Sequence, residues 1–223
     1  MLLRAAFRVG LVAYAVAFAA GMAWTWSTHG RPPALRDSPL TLADEAYARG
    51  DVERAAREYR MVSSIDVSNY DTPKKLAEML SRMGDASGEV DQFRRATELW
   101  PRDPATHRRL GLAYLKTRRF EEARASFERA LRLVPGDGEA LQGLGEALLE
   151  LERYDEALRA MGDAVRALPG NAVALNSLGV ALALAGRDEE AVARFEEAVR
   201  LDPQPAYVQN LARARAASRE AKP

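Results

Sequence analysis

Few residues of this sequence have the type and spacing that catalysis or metal binding requires. His29 and His107 are the two histidines, neither has a second histidine at helical spacing, and the chain contains no cysteine. The segment Gly143-Leu144-Gly145 is glycine-rich, but no Gly-Lys-Ser/Thr follows it as in a phosphate-binding loop. The pairs Glu121-Glu122 and Glu189-Glu190 fit the acidic first turn of a helix. The sequence therefore predicts no enzymatic activity, no metal and no cofactor.

The composition favours a helical protein that does not bind nucleic acid. The chain has 223 residues, of which 32 are basic and 32 acidic, so its formal net charge is zero. A nucleic-acid-binding chain would carry a basic excess, and we therefore expect no such partner. Alanine is the most frequent residue type and aromatic residues make up only 7%, which favours helices over sheets. No motif indicates a small-molecule substrate.

A long apolar segment lies near the N-terminus. Residues 9–26 contain no charged side chain and would span about 27 Å as a helix, close to the thickness of a bilayer core. Arg4 and Arg8 precede the segment, and Trp24 and Trp26 end it with side chains that suit the membrane–water interface. These features predict a transmembrane signal anchor. A cleaved signal peptide is the alternative, although its apolar stretch is normally shorter.

The residues around this segment indicate a topology. Residues 1–8 form a basic N-region that we expect in the cytoplasm, which would place the remaining chain outside it, in the periplasm of a bacterium. Residues 27–35 include Pro32-Pro33 and read as a short linker. The expected location is the membrane, with a single pass and an extracytoplasmic folded part.

A 34-residue period fills the rest of the chain. Its most regular members are a leucine, a small residue after it and a proline near the end of each unit: Leu76, Leu110, Leu144 and Leu178; Ala77, Gly111, Gly145 and Gly179; Pro101, Pro135, Pro169 and Pro203. Later positions hold a large apolar residue and an alanine: Tyr59, Phe93, Phe127, Met161 and Phe195; Ala55, Ala123, Ala157 and Ala191, with Glu89 as the exception. Because the apolar residues lie three or four apart, each period predicts two packed amphipathic helices.

The same period contains signals for the helix ends. Residues able to accept hydrogen bonds from a free helix N-terminus stand before each first helix: Asn69, Asp103, Asp137 and Asn171. One position marks the turn between the two helices, and it holds Gly50, Gly84 and Gly186, or Arg118 and Glu152 in the other units. The small residue beside each leucine predicts a close approach of the partner helix.

With these residues the sequence resembles the tetratricopeptide repeat family, most closely between Pro104 and Pro135. The resemblance implies an all-α fold, a right-handed α-solenoid of about five helix pairs that follows the one transmembrane helix. The repeats would occupy residues 36–205, as units 36–69, 70–103, 104–137, 138–171 and 172–205. Residues 206–219 are expected to form a capping helix with Tyr207 and Leu211 facing inward.

The resemblance also implies a concave groove lined by the first helix of each unit. The residues expected to contact a partner there are Lys74, Lys75, Arg82, Arg108, Arg109, Lys116, Glu146, Val180 and Leu184. The first six form a basic strip, Glu146 belongs to an acidic helix that also carries Glu150, and the last two are apolar. This pattern predicts a bound peptide, extended or helical, with acidic groups and an apolar anchor. A solvated face and binding of lipid headgroups are the alternatives for the basic strip.

These features together predict a membrane-anchored protein-interaction scaffold that binds partner protein segments and assists assembly of an envelope or membrane complex. The alternative is an architectural accessory subunit of a larger membrane complex, whose transmembrane helix packs against others through small residues such as Gly10 and Gly21. In both cases the expected partners are other proteins, as peptide segments or complex subunits, and the membrane itself.

Overall fold

A computed structural model describes residues 38–66 and 71–220, which form eleven helices and no strand. The helices are α1 (Pro39–Arg49), α2 (Val52–Ile65), α3 (Asp71–Arg82), α4 (Ala86–Leu99), α5 (Pro104–Lys116), α6 (Phe120–Leu133), α7 (Gly138–Glu150), α8 (Tyr154–Ala167), α9 (Ala172–Leu184), α10 (Asp188–Leu201) and α11 (Pro205–Glu220). The all-α class predicted from the sequence is confirmed for these residues.

The predicted membrane anchor lies outside the described residues. This applies to the whole N-terminal prediction, namely residues 1–8, 9–26 and 27–35 with Trp24 and Trp26, and also to the predicted helix cap Asn69. Among the helices that the structure describes, none is both long enough and apolar enough to cross a bilayer.

The described residues divide into two compact units, 38–66 and 71–220. The described part of the first unit is the hairpin α1–α2. Its core residue Tyr59 is fully buried, and the Tyr59 hydroxyl donates a 2.6 Å hydrogen bond to Asp44 Oδ1. Helix α1 begins at Pro39, directly after Ser38, whose hydroxyl accepts a hydrogen bond from the Thr41 N–H at 3.2 Å. A proline is tolerated there because the first helical N–H has no intrahelical partner to lose.

The second unit is a stack of hairpins, α3–α4, α5–α6, α7–α8 and α9–α10, followed by α11. Each second helix packs against its own first helix and against the first helix of the next hairpin. The large residues of the 34-residue period form the buried cores between them: Phe93, Phe127, Met161 and Phe195. The predicted close approach is confirmed, since a Cβ atom added at Gly111 would lie 2.8 Å from the Phe127 ring, and one at Gly179 2.7 Å from the Phe195 ring.

The predicted helix ends of the hairpins are also found. Asp103, Asp137 and Asn171 accept hydrogen bonds from the N–H groups of Ala105, Ala140 and Ala174, at 3.2, 3.1 and 3.1 Å. The predicted turn position adopts the left-handed conformation in every hairpin: φ is 74° at Gly50, 78° at Gly84, 58° at Arg118, 58° at Glu152 and 72° at Gly186. The turn therefore has one geometry whether or not the residue is glycine.

Three second helices begin with the same ion pair. In each, two guanidinium N–H groups donate to the glutamate three residues later: Arg119 to Glu122, Arg153 to Glu156 and Arg187 to Glu190. Hydrogen bonds from the arginines, together with their positive charge, hold the pKa of the Glu122 and Glu190 carboxyls below its usual value. Helices α2 and α4 instead begin after Asp51 and Asp85, whose carboxylates accept backbone N–H groups.

Helix α11 covers the end of the last hairpin. Tyr207, Leu211 and Ala214 are buried against α9 and α10, which confirms the predicted inward direction of Tyr207 and Leu211. The Asn210 amide donates to Asn176 Oδ1 on α9 at 3.0 Å. Through these contacts α11 shields apolar residues of α9 and α10 from water.

Candidate functional site

The helices α3 to α7 of the second unit line a groove made of two joined cavities. One, of about 400 Å³, is lined by Glu78, Ser81, Glu89, Phe93, Arg109, Leu112, Leu115, Lys116 and Glu146. The other, of about 320 Å³, is lined by Leu115, Phe120, Glu146, Leu149 and Glu150. Because Leu115 and Glu146 line both, the two cavities form one surface, called here the central groove.

A separate cavity lies among α9, α10 and α11. It has a volume of about 350 Å³ and is lined mainly by apolar side chains: Val180, Ala183, Leu184, Phe195, Ala214 and Ala217, with Asp188, Asn210 and Arg213 as its polar members. Leu184 is 56% exposed, which is a large fraction for a leucine at a concave site. This surface is called the end cavity.

The structure brings only part of the predicted contact set together. Arg109, Lys116 and Glu146 line the central groove, whereas Val180 and Leu184 line the end cavity. The linings of these cavities do not include the remaining predicted residues Lys74, Lys75, Arg82 and Arg108. The nine residues thus belong to at least two different surfaces of the second unit.

Two cations of the predicted basic strip make the same internal contact one repeat apart. Lys74 Nζ lies 2.6 Å from Asp103 Oδ2, and Arg108 Nη1 lies 2.5 Å from Asp137 Oδ2. Both aspartates also cap the next first helix, so each pair ties one hairpin to the start of the following one. Arg108 Nη2 also lies 3.1 Å from Glu139 Oε2. The charges of Lys74 and Arg108 are therefore compensated within the chain.

Lys116 is compensated by the residue that interrupts the alanine pattern. Its ammonium group donates to Glu89 Oε1 at 2.9 Å, to Glu89 Oε2 at 3.0 Å and to Ser81 Oγ at 2.8 Å. These contacts account for three ammonium donors. The Glu89 side chain is only 6% exposed, and a carboxylate at that depth requires a partner. Glu89 and Lys116 therefore form one structural pair at the edge of the central groove.

Four other charged residues of this region have no such compensation. Within the described part of the chain, Arg82 and Arg109 form no ion pair with a carboxylate, and Glu146 and Glu150 form none with a cation. Glu146 accepts one hydrogen bond, from the Gln142 amide at 3.1 Å. No ion pair within the described residues therefore neutralises the charges of these four side chains.

The sequence placed Leu112 in the groove, but the rest of the apolar wall was not predicted. Leu115, Leu149 and Phe120 line it half-buried, and Leu112 is 41% exposed at its mouth. A signal was present, because Leu115, Leu149 and Ala183 follow one another at the interval of the repeat. The 34-residue period therefore predicts that these three residues lie on one face of the first helices.

Histidine and clustered acidic side chains are the other residue types that could bind a metal ion. His107 is buried, and its Nε2–H donates to the Pro101 carbonyl oxygen at 3.0 Å, which links α5 to the segment that follows α4. Within residues 38–66 and 71–220, no group of three or more histidine, aspartate or glutamate side chains is arranged to hold a metal ion.

Stacked two-helix hairpins with a groove along their first helices define a helical-repeat solenoid. Two family models, both described as tetratricopeptide repeat, match residues 102–170 and 143–206. Together the two matches span residues 102–206, and the hairpins in this range are similar to tetratricopeptide repeats. A search of curated proteins by sequence found no match.

Solved structures support the same fold. The crystal structure of MamA protein is 24% identical with a TM-score of 0.68, and the match covers 75% of this chain and 92% of that one. YrrB, described as a TPR protein with an unusual peptide-binding site, is 21% identical with a TM-score of 0.68, over 80% of this chain and 93% of that one. TTC0263, a thermophilic TPR protein in Thermus thermophilus, is 20% identical with a TM-score of 0.59, over 80% and 96%. At these identities the likeness concerns the fold alone.

Proposed function

We propose that this chain is a protein-interaction scaffold that binds a segment of a partner protein along the first helices of the second unit. The observation that carries the proposal is the central groove, in which Leu112, Leu115 and Leu149 form an apolar wall beside uncompensated charged side chains. An apolar floor with a polar rim is typical of grooves that bind peptides. The unusual peptide-binding site of YrrB, a protein of the same fold, supports this choice.

The energy of such binding would come from few contacts. Burying one leucine-sized side chain contributes about 1.5–3 kcal/mol. Leu112 and Leu184 are the most exposed leucines of the two surfaces, at 41% and 56%. A partner segment that covers them would gain most of its affinity there, while the charged rim would select its orientation and sequence.

The proposal also places the scaffold at a membrane. The uncharged segment 9–26, with Arg4 and Arg8 before it and Trp24 and Trp26 at its end, supports a signal anchor with the repeats on the extracytoplasmic side. A groove held beside a bilayer suits a role in assembling an envelope or membrane complex. The proposed role involves neither a chemical reaction nor a cofactor.

Site-specific photo-crosslinking in cells tests the groove assignment. A photoreactive amino acid at position 112 should crosslink to a partner protein, because that side chain lies at the mouth of the groove. The same amino acid at Val134, which is 43% exposed at the end of a second helix, is the matched control. In a chain without the photoreactive amino acid, Leu112→Glu should abolish co-purification of the partner that crosslinking identified, and Val134→Glu should not. Equal crosslinking at both positions, or equal loss with both substitutions, would rule out the groove as the binding surface.

A further inference from the structure

The central groove carries a net negative charge, opposite to the basic strip expected from the sequence. Four carboxylates and two cations line its two cavities, so the lining has a net charge of −2. Glu89 and Lys116 compensate each other. Glu146 and Glu150 have no cation partner within the described residues, although the chain as a whole has zero net charge.

These two glutamates stand one turn apart on α7. Carboxylates at positions i and i+4 of a helix repel each other and destabilise it slightly. Local conflicts of this kind are expected where a site serves a function. Both side chains line the same 320 Å³ cavity, and its other walls are the apolar side chains of Leu115, Phe120 and Leu149. The cavity therefore combines an apolar wall with two negative charges at its rim.

The described arginines near Glu146 and Glu150 form no ion pair with either glutamate. Arg108 is bound to Asp137 and Glu139, and the Arg118 guanidinium lies over the Phe120 ring, 5.9 Å from its centroid, without an ion pair to either glutamate. Arg109 lines the adjoining cavity together with Glu146 but lies beyond ion-pair distance of it.

We infer that the central groove binds a partner segment in which a lysine or arginine lies close to an aliphatic or aromatic anchor residue. This inference rests on the proposed function and specifies its ligand. The aliphatic stem of a lysine or arginine packs against Leu115, Phe120 and Leu149, and its charged end reaches Glu146 and Glu150. The neighbouring apolar anchor of the same segment covers Leu112. An acidic segment would meet uncompensated carboxylates at this point of the groove.

The test is a selection from a random library of dodecapeptides displayed on phage. The purified full chain is presented in mild detergent, after counter-selection on empty micelles. We expect enriched peptides to combine lysine or arginine with leucine, isoleucine, phenylalanine or methionine. In fluorescence anisotropy, E146Q/E150Q should weaken binding of the best peptide by roughly ten-fold or more, the size expected for loss of close charge pairs.

The matched control is E98Q/E189Q, which removes two charges from exposed glutamates of second helices. It should change the affinity by less than roughly two-fold, since exposed charges outside the contact surface contribute little. The circular dichroism of E146Q/E150Q should show unchanged helix content, because the substitutions remove a repulsion within α7. A loss of binding by this variant is then not due to unfolding.

Other results would overturn either the basic ligand or the proposed function. Enrichment of peptides rich in aspartate and glutamate, or unchanged binding by E146Q/E150Q, would overturn the basic ligand while leaving a peptide-binding scaffold in place. A failure to enrich any peptide would overturn the proposed function itself. A dimer of the chain that E146Q/E150Q dissociates in sedimentation experiments would identify a second copy as the occupant and also overturn the inference.

Discussion

The turn inside each hairpin places a single residue in the left-handed region, where side chains are unfavourable. Glycine adopts this conformation without a steric penalty, but a residue with a Cβ atom is destabilised there by about 1–2 kcal/mol. Gly186 and Glu152 occupy the same position of consecutive hairpins, with φ values of 72° and 58°. Nothing within 4 Å of a Cβ atom built on Gly186 would obstruct it. The two positions thus differ in backbone strain and not in packing.

Removing the side chain at Glu152 and adding one at Gly186 should therefore change the free energy of unfolding in opposite directions. We expect Glu152→Gly to raise the free energy of unfolding by roughly 0.5 kcal/mol. Relief of backbone strain stabilises the folded state, and the greater flexibility of the unfolded chain offsets part of this gain. Gly186→Ala should lower it by about 1 kcal/mol. Urea titration followed by circular dichroism measures both. A shift of both midpoints in the same direction would show that backbone strain does not control this position.

Individual ion pairs show where sequence reasoning reaches its limit. The caps Asp103, Asp137 and Asn171 could be predicted because a cap acts on residues two or three positions away in the chain. The pairing of Arg108 with Asp137 spans 29 residues and depends on how consecutive hairpins stack. Arg108 was expected to line the groove because of its position on a single helix, where its long-range partner is not visible. The repeated interval of 29 residues between Lys74 and Asp103 was the available signal.

At the scale of elements, each helix could be predicted because its apolar face recurs with the 34-residue period. The position held by alanine in other second helices is occupied by Glu89 in α4, and the sequence alone offered no reason for it. In the structure Lys116 of the next first helix supplies the counter-charge. A long-range partner thus makes a polar residue acceptable at a core position.

Helix α11 allows a direct test of its contribution to the end of the stack. Leu211 is 8% exposed and packs with Phe195 and Leu182, whereas Val208 on the same helix is 46% exposed. We expect Leu211→Ala to lower the free energy of unfolding by about 2 kcal/mol, the lower end of the range for buried leucines, since the helix packs on one side only. Val208→Ala should change it by less than about 0.5 kcal/mol. Equal effects in thermal unfolding would contradict the capping role of α11.

For the whole molecule, the distribution of charge matters more than its sum. The zero net charge of the chain gives no sign of a charged binding surface, yet the lining of the central groove is acidic. The sequence could not reveal this difference, because Lys74, Arg108 and Lys116 are neutralised by carboxylates of neighbouring hairpins and their caps. Composition limits the class of partner, whereas the packing of helices decides which charges reach it.

Residues 9–26 lead to a prediction for the location of the whole molecule. We expect the full chain to stay in the membrane pellet after alkaline carbonate extraction of cells, because about 18 uncharged residues suffice to cross a bilayer core. Deletion of residues 1–26 should move the chain to the supernatant. Its helix content should persist, since the buried clusters of the second unit consist of residues from α3 to α11.

A charge placed inside or outside the segment provides the matched control. Ala15→Arg puts a guanidinium near the middle of the proposed span, where it opposes insertion by about 2.5–3.5 kcal/mol. Ser27→Arg adds the same charge just beyond Trp26, where it remains hydrated. Release of the chain by Ala15→Arg but not by Ser27→Arg would support a spanning helix. Recovery of the unmodified full chain in the supernatant would remove the anchor from the proposal and leave a scaffold that acts without a membrane attachment of its own.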